Sequence, residues 1–242
     1  MSAQTWDALW QGQQMQARWS VPDADVVALV GDLRREGVRR VLDLGFGVGR
    51  HVILLAASGF QTHGLEASPT GTLHCRRWAQ AVGVTAGLAT GDMHALPYRA
   101  GSFDFALAWN VVYHTRRPQM AAILQDLHRV LRVGGLLYLT LNSARNSYYG
   151  QGTEVEPGTF DNPQLGDGQH LHHYSDEADV ADLLSGWRIE RATEAEERLA
   201  GRVVPGSWHW MVLARKVRQD AAGAGGPQVE QETRHGRASR RC

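Results

Sequence analysis

Arg39-Arg40-Val41-Leu42-Asp43-Leu44 runs through Gly45-Phe46-Gly47-Val48-Gly49 into Arg50-His51-Val52-Ile53-Leu54-Leu55-Ala56-Ala57. The first block reads as a buried strand and the last as a helix, so the stretch is the opening of a βαβ unit. Three alternating glycines in the connecting turn need a physical reason. Without a β-carbon the backbone turns sharply and a ligand can lie against it, and the start of the following helix offers N–H groups with no partner inside the helix. In open α/β sheets ligands bind at this place, the carboxyl end of a strand. The dinucleotide spacing asks for glycine or alanine three residues beyond Gly47, where this chain has Arg50, so a pyrophosphate fits poorly. Asp43 would also repel a phosphate and suits a cationic or amino-bearing ligand.

Outward from this turn, Phe60–Leu65 reads as a second strand ending at Glu66, followed by a helix over Pro69–Val82, a strand over Thr85–Ala89 and the Gly91-Asp92 turn. Phe103–Trp109 is a fourth strand. A helix over Gln119–Leu131, capped at Gly134-Gly135, leads into a fifth strand over Leu136–Leu141. Alternation with short connections requires right-handed crossovers, hence a doubly wound α/β fold whose mostly parallel sheet has helices on both faces. From Ser143 to Tyr174 the pattern breaks into a long polar loop, of the kind that is functional or mobile in compact domains. Ser175 caps a short helix reaching Leu184, and Trp187–Arg191 and Ser207–Arg215 close the sheet as a hairpin-like pair. The expected organisation is a helical N-terminal segment over residues 1–25, a domain over 26–215 with residues 143–174 inserted on the substrate side, and a disordered tail over 216–242.

The 242 residues are 43% hydrophobic, 21% charged and 8% aromatic, with 25 basic against 25 acidic side chains, which excludes a disordered or collagen-like chain and indicates a sizeable core. A net charge of zero argues against the phosphate-neutralising surface of a nucleic-acid or membrane-surface binder. The expected partner is a small molecule, with neither nucleic acid nor membrane. Cys75 and Cys242 are too few for a disulfide framework and are expected to be free thiols in a reducing compartment. The polar start, MSAQTWDALWQGQQMQARW, has neither a basic region followed by an apolar run nor a bilayer-length stretch, so a cytoplasmic monomer or homodimer is expected.

Asp43 with Gly45, Gly47 and Gly49, then Glu66, Gly91-Asp92-Met93, Phe103-Asp104-Phe105 and Leu131-Arg132-Val133-Gly134-Gly135 follow one another in the order of the motifs of a known family. The chain resembles the class I S-adenosylmethionine-dependent methyltransferases, of the small-molecule type 11/25 kind, over roughly residues 26–215. The resemblance implies a Rossmann-like seven-stranded sheet with an antiparallel last strand, and S-adenosyl-L-methionine as cofactor. It implies that Asp43 binds the methionine amino group, that Gly45 and Gly47 let the backbone approach the cofactor, and that Gly49 permits close helix packing. Glu66, followed by Ala67, would take the ribose hydroxyls, Asp92 the adenine amino group, Met93 would lie against the ring, and Asn110 would sit near the methionine end. Trp10 and Trp19, with Trp6-Asp7-Ala8-Leu9, resemble the lid that closes over the cofactor in small-molecule members; plain packing against the core is the other reading.

Methyl transfer from a sulfonium is an in-line displacement, so the protein aligns the nucleophile, excludes water and removes a proton where one must leave. His114 follows the fourth strand and is a candidate general base, or else a capping or surface histidine. Tyr113, Asn142, Arg145, Tyr148, His172 and His173 are candidate substrate contacts. Adjacent His172 and His173 point apart on an extended chain, which speaks against a metal centre built from them with Glu154 and Glu156, and no metal is expected. Amino-methylating enzymes of polymers carry two prolines after the fourth strand, where this chain has Asn110-Val111-Val112-Tyr113, and an arsenic-methylating enzyme needs more cysteines. A diffusible acceptor with oxygen, nitrogen, sulfur or selenium remains. The alternatives are a cofactor-binding regulatory module without turnover and a nicotinamide-binding domain, against which Arg50 stands.

Overall fold

The computed structural model describes residues 3–165 and 170–218. The disorder expected for the tail falls, from residue 219 onward, outside the described residues. In chain order the elements are α1 (Ala3–Gln11), α2 (Gln13–Arg18), α3 (Ala24–Arg35), β1 (Arg40–Leu44), α4 (Arg50–Ala57), β2 (Gln61–Glu66), α5 (Pro69–Val82), β3 (Ala86–Thr90) and β4 (Phe103–Ala108). There follow α6 (Arg117–Val130), β5 (Leu131–Ser143), β6 (Thr153–Glu156), β7 (Thr159–Asp161), β8 (Leu171–Ser175), α7 (Glu177–Leu183), β9 (Trp187–Leu199) and β10 (Arg202–Lys216). The helices start where the chain supplies caps. Asp23 accepts from the Asp25 amide at the head of α3, and Ser68 Oγ accepts from the Gly71 amide at 2.9 Å at the head of α5, where Pro69 loses no bond by lacking an N–H.

The main sheet runs β3-β2-β1-β4-β5-β10-β9. The first five strands pair in parallel, and β10 is antiparallel to both its neighbours. This is the doubly wound α/β architecture expected, seven strands with an antiparallel last one. Alternating side chains feed two cores. Leu42, Leu44, Ala106, Leu137 and Leu139 face α6 and α7 through Met120, Ile123, Leu127 and Val180. Val41, Phe105, Leu107, Leu136 and Tyr138 face α3 and α4 through Val26, Leu29, Leu33 and Leu55. With both faces covered, β1 and β4 are nearly all buried, as a central parallel strand must be.

The differences from expectation lie at the edges. The stretch from Ser143 to Tyr174 is not a structureless loop: β6, β7 and β8 form an antiparallel meander, and β8 adds to β5 in parallel at Asn142 and Ser143. Asn142 pairs with His209 of β10 on its other edge, so β8 occupies the side that β4 has vacated by stopping at Ala108. Strands of three to five residues leave too little periodicity to read, and aromatic packing among Tyr149, Phe160 and Tyr174 stabilises them instead. The helix expected to run to Leu131 ends at Val130, and Leu131 already pairs with Phe103, so Gly134-Gly135 lies within β5 rather than capping a helix. Asp176, not Ser175, caps α7, accepting from the Asp179 amide at 2.8 Å. β9 and β10 are longer than expected because Glu190–Arg198 forms a largely exposed edge strand, where charge on both faces hides the alternation.

Candidate functional site

A cavity of about 800 Å³ opens at the carboxyl ends of β1, β2 and β4. Its first half is built by the glycine turn. Gly45, Gly47 and Gly49 have φ of +67°, +55° and +98°, a conformation that side chains with a β-carbon adopt only under strain. At Gly47 a β-carbon would lie 2.8 Å from the Trp10 ring, so even alanine would displace the tryptophan. Gly49 does not line the cavity; it starts α4 and faces Cys75 of α5, where a β-carbon would strike the sulfur. Cys75 is a buried free thiol whose pKa burial pushes up to about 12, so it serves packing.

Two carboxylates stand at this end. Glu66, buried at the end of β2, accepts from the Gly47 amide at 2.7 Å through Oε2 and from the Ser68 amide at 2.9 Å through Oε1. It pins the glycine turn to the next strand, and each oxygen keeps a lone pair for a further donor. Burial raises its pKa, while the amides of Ser68, Gly47 and Ala67 work in the other direction. Asp43, at the end of β1, is 2% exposed and its Oδ2 has no hydrogen-bond partner. Burial pushes it up to about 8, Arg50 holds it down and Glu66 raises it further. A buried acceptor left unpaired costs about 1–3 kcal/mol, which a donor in the cavity would recover.

Arg50, the first residue of α4, lines the same cavity with its guanidinium 4.8 Å over the Trp19 ring. Burial disfavours its charge, and the carboxylates of Asp23, Glu197 and Asp43 favour it. Farther along, Ala67, Asp92 and Met93 line the wall at the ends of β2 and β3. Burial would raise the Asp92 pKa, but the His94 amide at 2.9 Å and its ring nitrogen at 2.6 Å bring it below the ordinary value.

The second half of the cavity lies beyond β4 and β5. Asn110, at φ +56°, is held by Thr140 Oγ1, which its amide donates to at 2.7 Å, and by Glu197, whose Oε1 accepts from its Nδ2 at 2.6 Å. Around the Tyr113 ring stand the imidazoles of His114, His172 and His209, with centroids 4.5, 6.1 and 5.6 Å away, and those of His114 and His172 are 4.6 Å apart. Asn142 and Tyr148 also line this half. Two residues read from the sequence as substrate contacts do not. Arg145 bonds Glu194 at 3.1 Å and lies 3.8 Å over Trp208, outside the cavity. His173 points to the other side of β8, its ring between Thr159 Oγ1 at 2.7 Å and Asp179 Oδ2 at 2.8 Å. Strand alternation separates it from His172, which lines the cavity. Among the described residues no group of three or more His, Cys, Asp or Glu side chains could hold a metal ion.

The helix α1 crosses both halves. Trp10 packs at Gly47, and Trp6 meets His114 edge-on at 5.0 Å. Asp7 between them bonds the N-terminal turn of α5, accepting from Ser68 Oγ at 2.7 Å and the Thr70 amide at 2.8 Å. Those bonds, the Thr70 amide foremost, lower its pKa. Replacing Asp7 by alanine should speed amide exchange in residues 3–11 about fivefold, the loss of roughly 1 kcal/mol of hydrogen bonding, and leave the β1–β5 amides unchanged. Unchanged exchange in α1 would mean that tryptophan packing alone holds it. Reading the sequence missed Glu197 and His209, which sit on the edge hairpin, and Arg50 as a wall of the site. Only the pairing of β10 with β5 and of β9 with β10, invisible in one sequence, brings His209 to Tyr113 and Glu197 to Asn110.

Residues 41–135 match the family model described as a methyltransferase domain. An uncharacterized methyltransferase of Mycobacterium marinum is 37% identical over 124 residues, 48% of this chain and 47% of that protein. The match therefore spans about half the length of such curated relatives. Among solved structures, an S-adenosylmethionine-dependent methyltransferase of Methanosarcina mazei superposes with a TM-score of 0.62 at 22% identity, covering 74% of this chain and 92% of that one. The 1,6-didemethyltoxoflavin-N1-methyltransferase of Burkholderia thailandensis, solved with 1,6-didemethyltoxoflavin and S-adenosylhomocysteine, superposes with a TM-score of 0.60 at 19% identity over 81% of this chain and 78% of that one. At these identities the structures speak for the fold. Taken with the strand order and the glycine turn between β1 and α4, they give residues 41–135 a likeness to methyltransferase domains in sequence and the chain the fold of S-adenosylmethionine-dependent methyltransferases.

Proposed function

We propose that this protein transfers a methyl group from S-adenosylmethionine to a diffusible small molecule. The observation that carries the reading is the continuity of one cavity, with a buried carboxylate whose Oδ2 has no partner at the glycine turn and three imidazoles around Tyr113 at the other end. The residues present fit the cofactor. Asp43 Oδ2 lacks a donor that an ammonium would supply, Glu66 keeps lone pairs for hydroxyls, and Gly47 lets Trp10 lie against the turn on the cavity wall, where any side chain would push it away. Bound there, the cofactor supplies an electrophilic methyl group on a sulfonium. Arg50 would balance a carboxylate beside Asp43, Asp92 and Met93 would hold the adenine, and Trp10 and Trp6 on α1 would exclude water. Asn110, fixed by Thr140 and Glu197, would mark the methionine end, and His114 would accept the proton that leaves the acceptor. Gly49 would serve indirectly, by seating α4 against α5. Among the described residues no helix is long and apolar enough to cross a membrane.

The raised pKa of Asp43 has a definite sign. Without a bound cation the folded protein keeps a proton on Asp43 up to about pH 8, whereas an ordinary carboxyl releases it near 3.8. The folded state binds more protons across that window, so this contribution to stability is present at low pH and is lost as pH rises toward 8. A bound ammonium favours the carboxylate, so binding should release a proton. Affinity for S-adenosylhomocysteine should therefore rise between pH 6 and 8 by up to about tenfold per unit and level off above. Calorimetry in buffers of different ionisation heat checks this, and an Asp43→Asn chain should lose the slope. No proton release in the native protein would remove Asp43 from the ammonium role.

The substrate reading is tested with methyl-labelled S-adenosylmethionine and a cell extract divided into small-molecule, protein and RNA fractions. Label should enter the small-molecule fraction. Label confined to protein or RNA would contradict the reading.

A further inference from the structure

Resting on the methyltransferase reading, we propose that the acceptor is an uncharged arene carrying a hydroxyl group, held flat among the aromatic walls of the second half of the cavity with its O–H donated to an imidazole. Three observations converge. The walls at this end include Trp6, Tyr113, Tyr148 and Tyr174, faces and edges that suit a planar ring. The polar groups among them are imidazoles that can accept a hydrogen bond and the amides of Asn142 and Asn146, with the Glu197 carboxylate beside them. His209 is the clearest case: its Nδ1 lies 3.2 Å from the Ser207 carbonyl, which can only accept, so Nδ1 carries the hydrogen and Nε2 offers a lone pair. Burial also lowers its pKa, which keeps the ring uncharged.

The charges nearby are already committed. No lysine lines the cavity, and its two arginines both belong to the Trp19 side, Arg18 as the neighbour of Trp19 on α2 and Arg50 stacked on the Trp19 ring among Asp23, Glu197 and Asp43, so an acceptor carboxylate or phosphate finds no cation among Tyr113, Tyr148 and Tyr174. Glu197 accepts from Asn110 Nδ2 at 2.6 Å and from Ser207 Oγ at 3.2 Å, and it favours the charge on Arg50, so an ammonium would meet a carboxylate that is already balanced. A neutral hydroxyl, by contrast, needs no counter-charge.

The test is calorimetry on the full chain saturated with S-adenosylhomocysteine, using 7-hydroxycoumarin, 7-methoxycoumarin, benzylamine and benzoate as probes. The hydroxycoumarin should bind at least tenfold more tightly than either charged probe. A His209→Phe chain, which keeps the ring and loses the acceptor, should bind it about tenfold more weakly, while its affinity for 7-methoxycoumarin and S-adenosylhomocysteine stays within twofold of the native protein. If that chain does not fold, the native protein carries the test, and it should bind 7-hydroxycoumarin about tenfold more tightly than 7-methoxycoumarin, which has no proton to donate; equal affinities would overturn the proposal. Tighter binding of benzylamine or benzoate, no binding of the hydroxycoumarin, or an unchanged affinity in the folded variant would overturn the proposal and leave the methyltransferase reading standing. Failure of S-adenosylhomocysteine itself to bind would remove that reading and the proposal with it.

Discussion

A Gly47→Arg chain should take up no S-adenosylmethionine at concentrations that saturate the native protein, while its central sheet still folds. The backbone at residue 47 sits at φ +55°, so any side chain pays the left-handed penalty of about 1–2 kcal/mol. Its β-carbon would begin 2.8 Å from the Trp10 ring, and the rest of an arginine must either push α1 off or enter the cavity beside Asp43 and Glu66. Either result fills or opens the place where the cofactor would lie against the chain. The Gly47 amide is also the donor that holds Glu66 Oε2, so a shift of the turn disturbs the carboxylate proposed for the ribose too. The cores on the two faces of the sheet do not include residue 47, and the melting temperature should fall by only a few degrees. Native affinity in the variant would mean that the cofactor does not approach the turn.

His114→Phe should reduce turnover by about 10²–10⁴-fold, the range for losing a positioned general base, and leave the dissociation constant for S-adenosylmethionine within about twofold. Phenylalanine keeps the ring that packs against Trp6, His172 and Tyr113, so the comparison isolates the nitrogen atoms. The fall of rate toward low pH that an imidazole base imposes should vanish in the variant. An unchanged turnover number would take the base role from His114 and leave it to His209 or to no residue, and a loss confined to cofactor affinity would return His114 to a packing role.

What a single sequence reveals here follows from where each residue gets its signal. Asp43 and Glu66 stand at the ends of buried strands, Asp92 follows the half-exposed β3 in its glycine turn, and the glycines mark these turns, so the half of the cavity proposed for the cofactor was legible in the sequence. His172 and His173 were separable as well, because two-residue alternation forces them apart, and the structure gives one to the cavity and the other to Asp179. Which of the two faces inward was not legible, since β8 is five residues long and its neighbours on either edge come from distant parts of the chain. Arg145 looked like a carboxylate ligand by its charge alone, but it is taken up by Glu194 and Trp208, partners that lie 49 and more residues away. Glu197 and His209 were missed for the same reason. Their strands are an edge hairpin with charge on both faces, and only antiparallel pairing against β5 brings them to the end of the cavity.

The most direct test of the central claim is isothermal titration of the purified protein with S-adenosylmethionine, S-adenosylhomocysteine and NADH. The account predicts micromolar binding of the first two, with a proton released below pH 8, and no binding of NADH. Binding of NADH alone, or of none of the three, would contradict it.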